Sequence, residues 1–301
     1  MFVALDAGGT NTRCWVADES RLLGRATGGT VKIMNVGEET ATQELQSLVR
    51  EALKQASVKS SAVTRTCMGL AGISSENVRH WAQRTLSTEV GGELVLCGDE
   101  EIALDAAFQG GPGVLIIAGT GSHVVGRCSD GTLVTAGGWG PVIGDEGSGM
   151  WIGREAIRSG FHAKDRGVDT GLLQEIQEFW GLQNLGELIA KANNSRRPDF
   201  AELVKVIVGR ADKGDELAAS VLRRAGEELA LHVELVIAKM KAVGCRPGDG
   251  DAVDFTGSVL GKIDLVRSSM TQRLKSSVPE ARVAEKPVEP LEGALWRARQ
   301  G

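Results

Sequence analysis

Several things are missing from this 301-residue chain, and each absence removes a class of function. It has no CxxC pair, and its five cysteines (Cys14, Cys67, Cys97, Cys128 and Cys245) are scattered. That spacing excludes a structural zinc knuckle and reads as reduced, mostly buried thiols of a cytosolic protein. No charged leader with an apolar core opens the chain, because Asp6 interrupts the first apolar run. No run of about 18 apolar residues follows, so no membrane span is expected. A net charge of −5 leaves no basic footprint for nucleic acid. Proline is scarce, with seven residues against forty glycines. Glycines in that number, set between apolar runs, mark tight turns and close backbone approaches rather than disorder.

What is present is globular: 42% hydrophobic and 24% charged residues, enough for two domains of ordinary size. The pattern runs strand (Met1–Asp6), glycine turn, strand (Arg13–Ala17), strand (Leu22–Ala26). A helix follows over Glu38–Ala56, with Leu45, Leu48, Val49, Ala52 and Leu53 on one face. Strand Thr66–Leu70, helix Ser75–Leu86 (Ser74 or Ser75 as its N-cap), strand Glu93–Cys97 and helix Asp99–Phe108 complete the first half. After "QGGPG" (Gln109–Gly113), a candidate hinge, the pattern restarts with strands Val114–Ala118, Val124–Cys128 and Leu133–Ala136. Helices dominate from Gly147, among them a long stretch over Glu216–Val243 with room for one break. Strand Val253–Thr256, helix Asp264–Lys275 and a last helix Leu291–Arg299 close the chain. Strands alternating with helices give α/β layers, and the restart predicts two like halves. The expected boundaries are 1–112, with a returning C-terminal helix at about 289–301, and 113–288.

Each half opens on the same corner. "LDAGGTNT" and "IIAGTGSH" are each a short apolar strand, a Gly/Thr/Ser/Asn turn and a second strand. Neither is a Walker A loop, since no GKS/T follows, and neither opens a helix. Alone, each is a plain hairpin; paired, they suit a polyphosphate held by backbone N–H groups and hydroxyls. Asp6, a carboxylate closing a buried strand, needs a cation or donors, and Mg²⁺ would suit it. Asp99 sits where a strand gives way to a helix, which fits an N-cap or a general base taking a proton from a substrate hydroxyl. Glu100 and Glu101 read as solvated first-turn charges. "GGWGPVIGDEGSG" (Gly137–Gly149) packs six glycines, a tryptophan and an acidic pair into thirteen residues. It reads as a backbone wall around a small polar ligand, with Asp145 or Glu146 accepting hydroxyls. Trp151, Trp180 and Met240 read as core, and His80, His162 and His232 as isolated structural or exposed residues. His123 reads as following its strand. Arg196-Arg197 and the run Asp212–Glu216 read as solvated faces.

Together "LDAGGTNT", "CGDEEIALDAA", "IIAGTGSH", "GGWGPVIGDEGSG" and "DFTGSVL", in that order, resemble the N-acetylglucosamine kinase branch of the BadF/BadG/BcrA/BcrD ATPase family, within the actin / sugar kinase / Hsp70 superfamily. The resemblance implies an α/β fold of two actin-like (ribonuclease H-like) domains flanking an ATP and sugar cleft, with closure about "QGGPG" excluding water. It implies a first phosphate loop of Gly8, Gly9, Thr10 and Asn11 and a second of Gly119, Thr120, Gly121 and Ser122. Asp6 falls near Mg²⁺, and Asp99 on the catalytic aspartate. Asn35 and the wall residues Gly138, Trp139, Gly140 and Asp145 fall on sugar-binding positions. Gly214, Gly257 and Ser258 fall around the adenosine. "GLAGI" places Ala71, with Gly72, where relatives carry a serine that contacts the acyl group. Glucosamine and N-acetylmuramic-type sugars therefore stay open beside N-acetylglucosamine. The resemblance implies a cytoplasmic kinase, often a homodimer, with no nucleic-acid or membrane partner. The rival readings are an iron–sulfur activase, which the scattered cysteines disfavour, and a non-catalytic sugar sensor.

Overall fold

In chain order, the computed structural model runs β1 (Phe2–Ala7), β2 (Asn11–Ala17), β3 (Leu22–Gly29), α1 (Ile33–Val36), α2 (Glu38–Ala56), β4 (Arg65–Leu70), α3 (Glu76–Ser87), β5 (Glu93–Cys97) and α4 (Asp99–Phe108). It continues with β6 (Gly113–Ala118), β7 (Ser122–Arg127), β8 (Leu133–Gly137), α5 (Gly149–Asp165), α6 (Leu172–Phe179), α7 (Leu185–Ala192), α8 (Val204–Asp212) and α9 (Glu216–Ala242). Last come β9 (Ala252–Thr256), α10 (Ser258–Lys262), α11 (Asp264–Ser277), β10 (Arg282–Val283) and α12 (Pro290–Arg299). The structure describes residues 1–168, 170–194 and 198–300; Arg196-Arg197 lie outside the described residues. Two compact units are formed, one of Met1–Gly111 with Val288–Gly301, the other of Pro112–Pro287.

Among the described residues each unit carries one five-stranded sheet, ordered β3-β2-β1-β4-β5 and β8-β7-β6-β9-β10. The two orders are the same permutation. In each, an antiparallel meander of three strands is followed by two parallel strands on the far side of the first. The parallel strands need crossover helices, which α2, α3, the α5–α9 segment and the α10–α11 pair supply.

Period-2 alternation decides which face each β1 side chain serves. Val3, Leu5 and Ala7 join the core beneath α2 and α3, whereas Ala4 belongs to the opposite core with Ile102 of α4 and Leu291, Ala294 and Leu295 of α12. Asp6, two residues after Ala4, therefore points to the α4 side. Its parallel neighbour in β4 is Gly69, where a Cβ would stand only 2.4 Å from Ile102 Cδ1, so α4 lies tight against this row. The second unit has one larger core of β6, β7 and β9 side chains packed on α5, α8, α9 and α11.

Several expectations are corrected. Helix α9 runs unbroken, because buried Leu222, Leu229, Val233 and Val236 keep one continuous stripe on the core. Cys128 and Cys245 are joined in a disulfide, leaving Cys14, Cys67 and Cys97 as buried thiols. Ser75 occupies the N-cap of α3 but makes no side-chain capping bond. Asp215 is no solvated charge. Its side chain is only 5% exposed, caps α9 through Leu217 N and Ala218 N, and pairs with Arg210 at 2.7 Å. Met240 is core, while Trp151 and Trp180 are only partly buried against it. Among the described residues no helix is long and apolar enough to cross a membrane.

Candidate active site

In the first unit the chemistry gathers at the ends of β1 and β5. The first loop turns tightly, with Gly8 N donating to Asn11 O at 3.2 Å. Gly9, Thr10 and Asn11 are exposed, and nothing stands where a Cβ of Gly9 would be. Thr30 Oγ1 donates to Gly8 O at 3.2 Å, and Asn35 Nδ2 donates to Gly9 O at 3.4 Å, so the asparagine lies beside this loop. Ala71 N donates to Ala7 O at 3.1 Å, and Gly72 takes a φ of +82°, placing both at the same edge.

Asp6 faces Arg13 across the β1–β2 pair, with Arg13 Nη2 donating to Asp6 Oδ2 at 2.6 Å and Arg13 Nη1 to Glu289 Oε2 at 2.8 Å. Burial nonetheless raises the Asp6 carboxyl above its ordinary value, against the pull of Arg13. Asp99 is the first residue of α4, and Gly98 holds the N-cap position. The Asp99 carboxyl is pushed up to about 7, first by burial, then by its hydrogen bond with Glu100, the charge of Glu100 and the charge of Asp6. Glu100 and Glu101 are only partly exposed and are held by neighbours, where the sequence suggested free solvated charges. A Cβ on Gly98 would stand 2.5 Å from Glu100 Oε1, so the glycine leaves room for Glu100 to fold back beside Asp99. Glu101 accepts from Gly98 N at 3.0 Å and pairs with Arg297 of α12 at 3.0 Å. Asp99 and Glu100 thus share a hydrogen bond, and the charge of Asp6 reaches Asp99 as well. Asp6 offers a hard oxygen donor of the kind Mg²⁺ takes, but among the described residues the three carboxyls do not converge closely enough to make a three-ligand cation site by themselves.

In the second unit the glycine turn and the long glycine segment form one piece. Gly119 O accepts from Gly149 N at 2.8 Å, Thr120 O from Met150 N at 3.1 Å, and Glu146 O from Ser122 Oγ at 2.8 Å. Gly121 faces Asp145, and a Cβ there would stand 2.8 Å from Asp145 Oδ2, so any side chain would have to displace that carboxyl. Asp145 is 6% exposed and, at φ +60°, is the one buried non-glycine residue in the left-handed region among the described residues. Backbone strain of that kind tends to gather where function over-determines the geometry. Its Oδ1 accepts from Gly140 N at 3.0 Å. Burial raises its carboxyl, while Gly140 N, His123 and Arg154 pull it down. Gly138 also has a positive φ, and Trp139 is 72% exposed beside it.

A cavity of about 670 Å³ adjoins the second loop. Gly119, Thr120 and Gly149 line one part, Ser258, Val259 and Ile263 another, and Val204, Val208, Gly209 and Asp212 a third. Its size and its mixed apolar and polar lining suit a nucleotide. Gly257, just outside, has a φ of +98° and approaches β6 so closely that a Cβ would stand 2.2 Å from Ala118 O. Gly214 is not among the lining residues; it borders a different hollow of about 630 Å³ with Arg210 and Lys213. The α8 wall escaped the sequence reading. The signal was there in "VIVGRAD", a glycine among aliphatic residues on a helix, where Gly209 has nothing within 4 Å of a would-be Cβ.

Twin sheets of one strand order, each opening on a glycine corner, define the actin-like class that includes the sugar kinases. The solved structures agree. A ROK family glucokinase from Streptomyces griseus in complex with glucose and AMPPNP superposes at a TM-score of 0.61 with 18% identity, over 100% of this chain and 99% of that one. A candidate N-acetylglucosamine kinase from Chromobacterium violaceum reaches 0.74 with 27% identity, over 98% and 97%. The sequence pattern of the BadF/BadG/BcrA/BcrD ATPase family matches residues 3–296, and the chain belongs to that family. It is 27% identical to an N-acetylmuramic acid/N-acetylglucosamine kinase of Clostridium acetobutylicum, over 99% of this chain and 97% of the relative. It is 28% identical to an N-acetyl-D-glucosamine kinase of Dictyostelium discoideum, with the same coverage.

Proposed function

We propose that this chain is an ATP-dependent kinase that phosphorylates the 6-hydroxyl of an amino sugar, N-acetylglucosamine first, with N-acetylmuramic acid and glucosamine as the alternatives. The observation that carries the reading is Asp99, a carboxyl at a strand end with its proton affinity raised to about 7, near the operating pH where a general base works best. Asp99 takes the proton of the sugar hydroxyl as that oxygen attacks the γ-phosphorus. Gly8–Asn11 and Gly119–Ser122 hold phosphate oxygens through the backbone, and the cavity lined by α8 and Ser258 holds the nucleoside. Asn35, Gly138–Gly140 and Asp145 orient the sugar. Mg²⁺ supplies charge neutralisation of the triphosphate when bound, with Asp6 as the residue that would hold it. Positioning and electrostatics carry most of the rate in such a transfer. The names of the two curated relatives support the amino sugar, and the family supports ATP. Coupled ADP release measured against N-acetylglucosamine, N-acetylmuramic acid, glucosamine, glucose and no sugar tests the reading. Sugar-dependent release supports it, and release indifferent to every sugar overturns it.

A further inference from the structure

His232 looks isolated in the sequence, yet it lies beneath the glycine segment of the second unit. It is buried on α9, with its ring flat against Gly137, where a Cβ would stand 3.4 Å from His232 Cε1. Its Nε2 is 3.7 Å from Glu146 Oε2. Its Nδ1 is buried and, among the described residues, has no hydrogen-bond partner. These two facts fix the tautomer. A proton on Nδ1 would bury an N–H with nothing to receive it; a proton on Nε2 faces the Glu146 carboxylate.

Glu146 is constrained from the other side as well. Its carbonyl is held by Ser122 Oγ at 2.8 Å, which fixes the backbone from which the side chain starts. The carboxylate itself is one-third exposed, and His232 is its side-chain partner among the described residues. One carboxylate oxygen therefore meets the imidazole while acceptor capacity remains open to solvent. The gap of 3.7 Å is too long for a finished hydrogen bond and short enough to close with a small movement. His123 sits one glycine further along, its ring 3.2 Å from a would-be Cβ of Gly138, and its charge reaches Asp145.

We infer that His232 is a positioning residue that aims Glu146 as an acceptor for a hydroxyl of the sugar, acting through Glu146 and touching no substrate itself. The inference rests on the sugar-kinase reading above and adds to it a residue from a distant helix. Glu146, not only Asp145, then belongs to the sugar wall.

The test is a double-mutant cycle read as KM against kcat. His232→Phe keeps a flat ring against Gly137 but removes the N–H and the unpaired Nδ1. The sugar KM should rise about tenfold, the scale of one charge-assisted hydrogen bond, with kcat and the ATP KM within about twofold. Melting temperature should hold or rise, because a buried unpaired polar atom is gone. His232→Gln, which returns an N–H near Nε2, should recover most of the loss. Glu146→Gln should raise the sugar KM comparably, and the double variant His232→Phe/Glu146→Gln should be no worse than Glu146→Gln alone. Equal rises in both KM values, a lower melting temperature with sugar KM unchanged, or additive effects would each overturn the inference. If wild-type enzyme shows no sugar-dependent turnover, the kinase reading itself fails; if it turns over and Glu146→Gln is silent, only the His232–Glu146 assignment fails.

Discussion

The raised Asp99 carboxyl makes a quantitative demand on the pH profile. With a value of about 7, half the free enzyme carries the ionised base at that pH. Roughly nine-tenths is ionised one unit above and about one-tenth one unit below, so kcat/KM should fall about tenfold from pH 8 to pH 6. An aspartate at its ordinary 3.8 would give a flat profile over that range. The main cause is burial, and the next is Glu100, so Glu100→Gln should move the acid limb to lower pH, because the neighbouring charge is gone and the amide can donate to the ionised Asp99 carboxylate. Asp99→Asn should abolish the limb and lower turnover by about 10²-fold or more. Stability should move oppositely. Folding raises the proton affinity of Asp99 from 3.8, so the contribution is complete below about pH 4 and is lost as pH rises through about 7. The melting temperature of Asp99→Asn should therefore gain on the wild type between pH 5 and pH 8. Initial rates at saturating Mg²⁺ and thermal melts over pH 5–9 provide both readouts. A wild-type midpoint below 5, an unmoved midpoint in Glu100→Gln, or near-normal turnover in Asp99→Asn would refute the assignment of Asp99 as base.

Three further outcomes are expected. Gly257→Ala should cost upwards of about 2 kcal/mol in denaturant unfolding, because the left-handed backbone is strained and the new Cβ would meet Ala118 O at 2.2 Å; unchanged stability would contradict the close packing of β6 on that turn. Cys245→Ser should lower the melting temperature and make it indifferent to reductant. The Cys128–Cys245 bond spans 117 positions, a loop for which the chain-entropy account gives about 5 kcal/mol. Asp6→Asn should raise the Mg²⁺ concentration needed for half-maximal turnover while leaving the fold intact, checked by metal titration with circular dichroism alongside; an unmoved Mg²⁺ midpoint would remove Asp6 from the metal site.

Whatever depends on neighbours along the chain was legible before any fold was known. Period and turn chemistry gave α2 over Glu38–Ala56, β5 over Glu93–Cys97 and α4 over Asp99–Phe108 with the observed ends. The repeated glycine corner showed the duplication, because a strand–Gly/Thr–strand turn is a local object, and the placement of Asp99 after a strand is equally local. What required the tertiary structure involves partners far apart. Arg297 reaches Asp105 and Glu101 from 192 and 196 residues away, so Glu101, still partly exposed, also braces α12. Arg13 meets Asp6 only because β2 folds back on β1. The Gly209 face of α8 becomes a cavity wall only once α8 packs beside the second loop and Ser258. His232 and Gly137 are far apart in the chain, yet the imidazole lies where a side chain on Gly137 would have to stand. The reason is common to all of these: patterning specifies which face of an element is buried, but desolvation, ion pairing and the close approach of two backbones exist only after those faces have met.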